Sequence, residues 1–484
     1  MSRLLLLLIF VAWSLWASQP VPAHDAVGAH IAAFLGGYLL LILVMGIWSR
    51  LAARRIDAAD SSQALKHFHW GMSTARLCVL VWFLVGLFVL GWGPLMSRGL
   101  DRIGLDPDRI EFPGLLIGTL PAFLAWVGLW WSQYPLEISA REQALLTQLD
   151  EGIEIHAPPT LGTYIRLNLR LQLLFTLVPI ILLVCLHDLI SLLLRRMGIG
   201  DVDSDVIELL VTLFTAAVVF VIAPEVLKHI LDTEPMPDGP LRERLEAICR
   251  RHDVKYRDIL LWRTANHMGN AAVMGVVPQF RYILMSDLLL ETMSDEQIEA
   301  VFAHEIGHVI HRHMLWFGIF FVTVTFAAVS LSEPVSELLN RWGPQANWPA
   351  AVILLVAAVL LLGKFLFLSQ KFERQADVFA ARTIQAQTET PVAPRHHVGP
   401  YGADAFSAAL RQVARINNIP VTALSWCHGS IARRIGYLHD LSADSQRTAH
   451  FDRFMGRLYA LLTLALLGFG VWAAITLYLS RAAL

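Results

Sequence analysis

Two histidines and a glutamate form the pattern with the clearest chemical meaning in this chain. His304, Glu305 and His308 lie within VFAHEIGHVIHRH, residues 301–313, and make an HExxH motif. Histidines at positions i and i+4 of a helix lie one turn apart on one face, so both rings can bind one tetrahedral zinc ion. The glutamate then faces the open coordination position, where it can move a proton from an attacking water to a leaving amine. The motif therefore predicts metal-dependent hydrolysis.

The residues around the motif predict the helix that must carry it. Ser294, followed three positions later by Gln297, is a capping-box pattern at a helix start. Beyond the motif, His311 shares a face with His304 but lies about 10 Å further along the axis. That separation is too large for one tetrahedral site, so His311 and His313 are interpreted as supporting residues and not as ligands.

The composition indicates a membrane protein. Hydrophobic residues make up 56% of the chain and charged residues 16%, with a mean hydropathy of +0.54. Runs of about 20 apolar residues can cross a bilayer as helices, and such runs lie near 30–48, 76–96, 114–132, 171–194, 206–231, 314–332, 349–368 and 457–479. The sequence predicts a mostly α-helical, polytopic membrane protein with about eight transmembrane helices. A net charge of −2 gives no basic surface for nucleic acid.

The spans divide the chain into segments. Residues 1–23 have the layout of a signal peptide, with a short first helix as the alternative. The remaining segments are a five-helix transmembrane domain (24–232), a first catalytic part (233–313), two transmembrane helices (314–368), a second catalytic part (369–456) and a C-terminal transmembrane helix (457–484). Eight spans counted from an outside start place both catalytic parts on the cytoplasmic side, and the arginines of the first and third connections partly support this. We expect a multi-pass protein of a bacterial inner membrane.

A zinc site of this kind needs a third ligand, and the order of the spans favours Glu373. Glu333 and Glu337 follow the sixth span on the opposite side of the membrane, and Glu389 lies in a proline-rich segment. Glu373 begins a predicted helix just after the seventh span, on the side of the HExxH motif. Asp377, one turn later, can accept a hydrogen bond from a ligand histidine and fix its tautomer.

At these residues the sequence resembles the integral-membrane zinc metallopeptidases, the family of the CAAX prenyl proteases and the HtpX-like proteases. HEIGH, two membrane helices and FERQAD follow one another in the order of that family. Five spans before the motif are closer to the CAAX type, whereas a span after the second catalytic part departs from it. The resemblance implies a gluzincin-like protease domain with a small β-sheet, one Zn²⁺ per chain, and a peptide or membrane-protein substrate. It does not indicate the oligomeric state.

The resemblance also implies roles for residues outside the zinc site. NAAVMG and the following RYILMSDLLL resemble the Asn-Ala-x-x-x-Gly turn and edge strand of the family. The strand is implied to pair with an extended substrate, with Asn270 and Ala271 near the scissile bond. CHGSIARRI resembles a His-Pro-x-x-x-x-Arg-Ile signature, which implies that His428 stabilises the oxyanion and that Arg434 is a structural or substrate-contacting cation. Gly429 stands where proline is usual.

The expected function is therefore a zinc-dependent endopeptidase acting on membrane-associated or misfolded membrane proteins. CAAX-type processing of lipidated C-terminal peptides is the alternative within the same chemistry. Two alternatives belong to other functional classes. A transporter or channel would use charged residues within the membrane as its pathway, and an inactive scaffold protein would keep a structural zinc ion. Structural zinc sites are usually closed, so Glu305 beside an open position argues against the scaffold.

Overall fold

Long apolar helices form most of this chain. The structure, a computed structural model, describes residues 2–17, 27–56, 61–103, 111–150, 158–198, 204–340, 347–388, 397–417 and 419–482. The chain divides into two units. The first contains residues 1–233 and 262–267, and the second contains residues 234–261 and 268–484.

The first unit is built from helices. They are α1 (Ser2–Ala17), α2 (Val27–Ile56), α3 (Ser61–Phe88), α4 (Trp92–Arg102), α5 (Glu111–Asp150), α6 (Leu161–Asn168), α7 (Phe175–Arg196) and α8 (Ser204–Ile230), with a π-helical turn at Leu169–Leu174. Trp126 of α5 lies in its buried core. Gly86 of α3 allows a close approach to α2, because a Cβ atom there would lie 2.1 Å from Cε2 of Phe34.

Helix α1 covers most of the predicted signal peptide. Its Phe10 ring lies 5.2 Å from the ring of Phe123 in α5, and Trp13 is buried in the core of the same unit. Residues 18–23, at the end of the predicted signal segment, lie outside the described residues. The cleavage of this segment stays a prediction.

The second unit combines a small sheet with eight helices among its described residues. In chain order these elements are β1 (Thr233–Pro235), α9 (Pro240–Arg251), β2 (Asp258–Trp262), β3 (Ala271–Met274), β4 (Tyr282–Ser286), α10 (Asp287–Thr292), α11 (Asp295–Ile310), α12 (His313–Asn340), α13 (Asn347–Thr388), α14 (Pro400–Ile416), α15 (Ile431–Ala443) and α16 (Ser445–Ala482). The four strands are ordered β1-β2-β4-β3. The core of this unit lies between the sheet and helices α11, α13 and α14.

Strand β3 corrects one interpretation of the sequence. NAAVMG was expected to form a turn before an edge strand, but its Ala271–Met274 segment is itself the edge strand. It pairs antiparallel with β4, from Ala271 opposite Met285 to Met274 opposite Tyr282. Strand β4 is internal and ends at Ser286, because the Oγ of Ser286 accepts a hydrogen bond from the Leu289 N–H and starts α10.

The membrane prediction is confirmed in its main features. Among the described residues, six helical segments are long and apolar enough to cross a membrane: Ala29–Arg54, Gly71–Phe88, Phe112–Ser139, Leu161–Arg196, Leu210–Ile230 and Ser445–Trp472. They overlap the first five predicted spans and the last one. The predicted sixth span lies in α12, which passes the same test only together with α11, at a bend of 43°. The predicted seventh span lies in α13, where many side chains from 347 to 359 lie outside the described residues.

Candidate metal centre

Three predicted ligands come together between α11 and α13. The Nε2 atoms of His304 and His308 are 3.3 Å apart. Nε2 of His304 lies 3.7 Å from Oε2 of Glu373, and Nε2 of His308 lies 3.8 Å from its Oε1. Ligand atoms at zinc bond lengths of about 2.1 Å lie roughly 3.4 Å from one another around a tetrahedron. The three side chains therefore fit one zinc ion, and two histidines with one glutamate are a donor set of catalytic zinc sites.

Local packing explains how α11 reaches α13. The predicted capping box is confirmed, since Ser294 and Gln297 exchange side-chain and backbone hydrogen bonds at the start of α11. Gly307, inside the HEIGH motif, faces Ala376, and a Cβ atom at Gly307 would lie 3.1 Å from the Ala376 Cα. Because both residues are small, the axes of α11 and α13 lie close together. Glu373, one turn from Ala376 on α13, can therefore contact both histidines of α11.

His304 is held from the side opposite the ligand atoms by a buried carboxylate. Its Nδ1 lies 3.0 Å from Oδ1 of Asp377, so the imidazole and the carboxylate form a close pair. Arg434 donates two hydrogen bonds to Asp377, at 2.8 Å from Nε and 2.5 Å from Nη2. Burial alone would raise the pKa of Asp377, but the charge of Arg434 and the contact with His304 lower it. Asp377 is therefore a carboxylate that favours positive charge at His304.

His308 is held by a second histidine. Its Nδ1 lies 2.8 Å from Nδ1 of His313, and Nε2 of His313 lies 3.0 Å from Oε1 of Gln375. The Tyr459 hydroxyl donates to the same Oε1 at 2.5 Å. The His313 ring also stacks on Phe372, with 4.3 Å between ring centroids and an angle of 4°. The contacts from His313 to Gln375 and Tyr459 thus fix the orientation of Nδ1 of His308, the ring nitrogen that does not face Glu373.

Glu305 lies between the ligand cluster and the edge of the sheet. Burial raises the pKa of Glu305 to about 7, the nearby charge of His304 opposes this rise, and that of Glu373 adds to it. Its carboxylate accepts a hydrogen bond from the backbone N–H of Val273 in β3. A carboxyl group with a pKa near neutrality can both accept and release a proton at physiological pH.

Strand β3 presents outward-facing backbone groups beside Glu305, and one of them, the Val273 N–H, donates to its carboxylate. The Ser286 N–H donates to the Asn270 carbonyl at 2.9 Å, and the Asn270 N–H donates to Oγ of Ser286 at 2.8 Å. Because backbone groups alternate in direction along a strand, those of Ala271 and Val273 point away from β4, towards the open edge. Asn270, whose side chain is exposed, and Ala271 therefore stand at the start of an edge that passes Glu305.

His428 lies on the exposed side of the cluster, with 57% of its side chain accessible. Its Nδ1 is 2.9 Å from Oε1 of Glu373. Burial would raise the pKa of Glu373, but the hydrogen bond and charge of His428 and the charges of His304 and Arg434 hold it well below its ordinary value. Gly429 has φ of +76°, which proline cannot adopt, so the loop after His428 differs from a His-Pro loop.

The structure brings most sequence-predicted site residues together and adds others. Phe406 of α14 stacks on His304, with ring centroids 5.7 Å apart. Asn417 holds the backbone of Gly269 by accepting from its N–H at 3.0 Å and donating to its carbonyl at 2.7 Å, which fixes the residue before Asn270. No local sequence signal marks Phe406 or Asn417, because each contact joins segments far apart in the chain.

Comparisons with known proteins agree with the family resemblance of the motifs. Residues 235–441 match the model of Peptidase family M48. The chain is 26% identical over 169 residues to the CAAX prenyl protease 1 homolog of Arabidopsis thaliana, covering 32% of this chain and 40% of that protein. It is 25% identical over 198 residues to Protease HtpX of Acinetobacter baumannii, covering 36% and 63%. The matches span less than two thirds of the length of these relatives.

Among solved structures, the chain is similar to the crystal structure of S. mikatae Ste24p. The TM-score is 0.47 at 14% sequence identity, over 86% of this chain and 100% of that chain. The resemblance seen in HEIGH, FERQAD and the flanking motifs is confirmed by the family and sequence matches, which lie in the part of the chain that carries these motifs.

Proposed function

We propose that this chain is a membrane-embedded zinc-dependent endopeptidase that cleaves membrane-associated or misfolded membrane proteins. The observation that carries the proposal is the spacing of His304, His308 and Glu373, whose ligand atoms all lie within 4.8 Å of one another. Glu305 stands beside this cluster, and similarity to peptidase family M48 extends over residues 235–441.

The proposed reaction uses each side chain of the cluster in a separate role. His304, His308 and Glu373 would hold a zinc ion, which would supply a Lewis acid for the scissile carbonyl. Glu305 takes a proton from the attacking water and gives it to the leaving amine. His428, on the open side of the cluster, stabilises the developing oxyanion. Asp377 and Arg434 hold His304 in place.

The open edge of β3 supplies the binding surface for the peptide. The outward-facing N–H and C=O groups of Ala271 and the C=O group of Val273 can add an extended substrate as a further strand. Such pairing recognises the backbone and accepts many sequences, which suits cleavage of misfolded proteins. The edge passes Glu305, so a bound peptide bond would lie near the general base.

We also propose the location of the site. The zinc cluster lies on the cytoplasmic face of a bacterial inner membrane in this proposal, which is supported by the predicted span count and by the arginines of the first and third connections. Labelling of a cysteine introduced at Glu243, an exposed position of α9, tests this. A membrane-impermeant maleimide applied to the periplasmic side should leave this cysteine unlabelled, and labelling in intact cells would reverse the orientation.

Replacement of the proposed base tests the mechanism. Glu305→Gln should retain one zinc ion per chain, measured by mass spectrometry. Its rate of peptide cleavage should fall by about 10²-fold or more. Glu243→Gln, a matched change on the exposed face of α9, should keep both properties. Cleavage at the wild-type rate by Glu305→Gln, or a purified wild-type chain without zinc, would contradict the proposed function.

CAAX-type processing is the second candidate, since one relative is named CAAX prenyl protease 1 homolog. The two candidates differ in substrate and not in mechanism. Substrates trapped by the Glu305→Gln variant in its native membrane and identified by mass spectrometry would separate them. Lipidated C-terminal peptides favour CAAX-type processing, and internal segments of membrane proteins favour the quality-control role.

A further inference from the structure

An ordered loop with exposed apolar side chains joins α14 to α15. Within this loop, here the 419–426 loop, Leu424 is 73% exposed and Trp426 is 62% exposed, and Ile419 and Val421 are exposed as well. These side chains form an apolar surface with no role in the proposed zinc site.

Backbone hydrogen bonds hold the loop at its base and along its length. The Ile419 N–H donates to the Ala414 carbonyl at 2.9 Å, and the Ala432 N–H donates to the Val421 carbonyl at 2.9 Å. A turn is closed within the loop by the Ala423 N–H and the Pro420 carbonyl at 2.8 Å. The exposed side chains are therefore presented by a defined backbone, and large apolar patches on a fixed surface mark sites of contact.

Aromatic side chains meet at the ends of the predicted sixth, seventh and eighth spans. Trp316 of α12 stacks on Tyr459 of α16 at 4.4 Å, and the Phe372 ring of α13 lies 6.0 Å from Tyr459. Trp and Tyr rings are enriched at the bilayer interface. Exposed apolar side chains begin at this level on all three helices: Leu315, Phe367 and Leu461.

The 419–426 loop reaches this level. Nε2 of Gln370 donates to the Trp426 carbonyl at 2.9 Å. Gln370 precedes Phe372 by two residues and so lies about 3 Å closer to the membrane along α13. The Lys371 ammonium lies 5.1 Å from the Phe367 ring and 5.0 Å from the Phe454 ring, a position that suits contact with lipid phosphate.

We propose that the 419–426 loop inserts its apolar side chains into the interfacial layer of the bilayer. Burial of such side chains in an apolar layer is favourable by about 25 cal/mol per Å², whereas their exposure to water has no compensating contact. Trp426 is two residues from His428, so the lipid contact also fixes the open side of the zinc cluster at the membrane surface. The inference concerns the position of the loop and stands whether or not the chain cleaves peptides.

Spin labelling of the full chain in vesicles tests this position. A nitroxide is placed at Leu424→Cys, and separately at Ile419→Cys, in a background without the four native cysteines. The protein is reconstituted in vesicles of phosphatidylcholine and phosphatidylglycerol, and relaxation by oxygen and by a water-soluble nickel chelate is measured. Labels at both positions should be relaxed several-fold more by oxygen than by the chelate.

Asp295→Cys provides the water-exposed control, because Asp295 is 54% exposed at the start of α11, the end remote from α12. Its label should be relaxed more by the chelate. Equal chelate access at positions 295, 419 and 424 would overturn the proposal. A label at 424 that loses chelate access only after an insulin B-chain peptide is added would assign the loop to peptide binding and would also overturn it. Unchanged zinc content and melting temperature show that each variant is folded.

Discussion

Nδ1 of His308 and Nδ1 of His313 lie 2.8 Å apart, although the two residues belong to different helices. Arg312 between these helices has φ of 53°, and this turn brings the His313 ring against the ligand. With its proton on Nδ1, His308 keeps the lone pair of Nε2 for a metal ion. His313 then accepts through Nδ1 and donates from Nε2 to Gln375.

Replacement of His313 tests whether this contact positions the ligand. His313→Phe keeps a ring against Phe372 but removes the acceptor for His308, so the imidazole of His308 is free to change tautomer. Zinc affinity, measured by competition with a chelator, should fall by about 10- to 100-fold, the usual effect of removing such a partner.

His311→Phe is the matched control for this prediction. The His311 ring packs edge-on against Phe379 at 5.9 Å and stacks on His313 at 5.7 Å, and a phenylalanine ring at this position can keep both contacts. Zinc affinity should remain at the wild-type value. Equal losses in the two variants would show that His313 acts by packing alone.

A larger residue at position 307 should separate α11 from α13. A Cβ atom at Gly307 would lie 3.1 Å from Cα of Ala376 and 3.2 Å from Cδ1 of Phe379. Gly307→Val should destabilise the fold by about 1–3 kcal/mol through overpacking and weaken zinc binding, because Glu373 moves away from the histidines. Gly318→Val, where a Cβ atom has open space, should leave zinc binding unchanged in the same chelator competition.

The edge of β3 offers a test of peptide binding. Ala271→Pro removes an outward-facing N–H at the first residue of the edge strand, a position at which proline is tolerated. Zinc content should stay the same, while kcat/KM for a peptide should fall by about tenfold, the equivalent of one hydrogen bond. Ala272→Pro, at a position that faces Leu284 of β4, should instead lower the melting temperature. An unchanged kcat/KM for Ala271→Pro would remove this N–H from substrate binding.

Loss of Arg434 should leave a buried charge without its partner. Only 1% of the Asp377 side chain and 12% of the Arg434 side chain are exposed. Arg434→Leu should destabilise the second unit by about 3–5 kcal/mol, measured by denaturant unfolding in detergent. The double variant Arg434→Leu with Asp377→Asn should recover part of that loss, and Arg433→Leu, on the exposed face of α15, should have little effect. If the losses of unfolding free energy from the two single variants simply add in the double variant, the pairing of Arg434 with Asp377 would be contradicted.

The buried thiol of Cys249 should make both its alkylation rate and the folding stability depend on pH. Burial raises the pKa of Cys249 to about 12, so at pH 8 only about 10⁻⁴ of it is thiolate, the reactive form. Alkylation of Cys249 in the folded chain should be slow and should accelerate about tenfold per pH unit up to pH 11. Above about pH 8.5 the unfolded chain loses a proton that the folded chain keeps, so folding stability should decrease as the pH rises. Fast alkylation at pH 8 under native conditions would contradict this burial.

The sequence predicts the parts of the site that depend on local periodicity or on chain order. The spacing of His304 and His308, the cap at Ser294 and the side of the membrane on which Glu373 emerges all follow from such patterns. In the structure the side chains of His304, His308 and Glu373 lie together, which agrees with these predictions. The roles of these residues in catalysis remain proposals.

Other features required tertiary contacts that no local pattern encodes. NAAVMG has the small residues and the glycine of a turn, and only its pairing with β4 makes it a strand. The stacking of Phe406 on His304 joins α14 to α11, and the hold of Asn417 on Gly269 joins α14 to the start of β3. His313 was interpreted as a supporting residue, but its contact with His308 depends on the left-handed conformation of Arg312.

The continuous helix α13 has a consequence for the order of events during synthesis. His304 and His308 leave the ribosome before α12 and α13, and Glu373 follows only at the far end of that helical hairpin. A nascent chain cannot complete the proposed site until both helices have entered the membrane and returned. Insertion of the hairpin would thus be required before His304, His308 and Glu373 can bind one metal ion together.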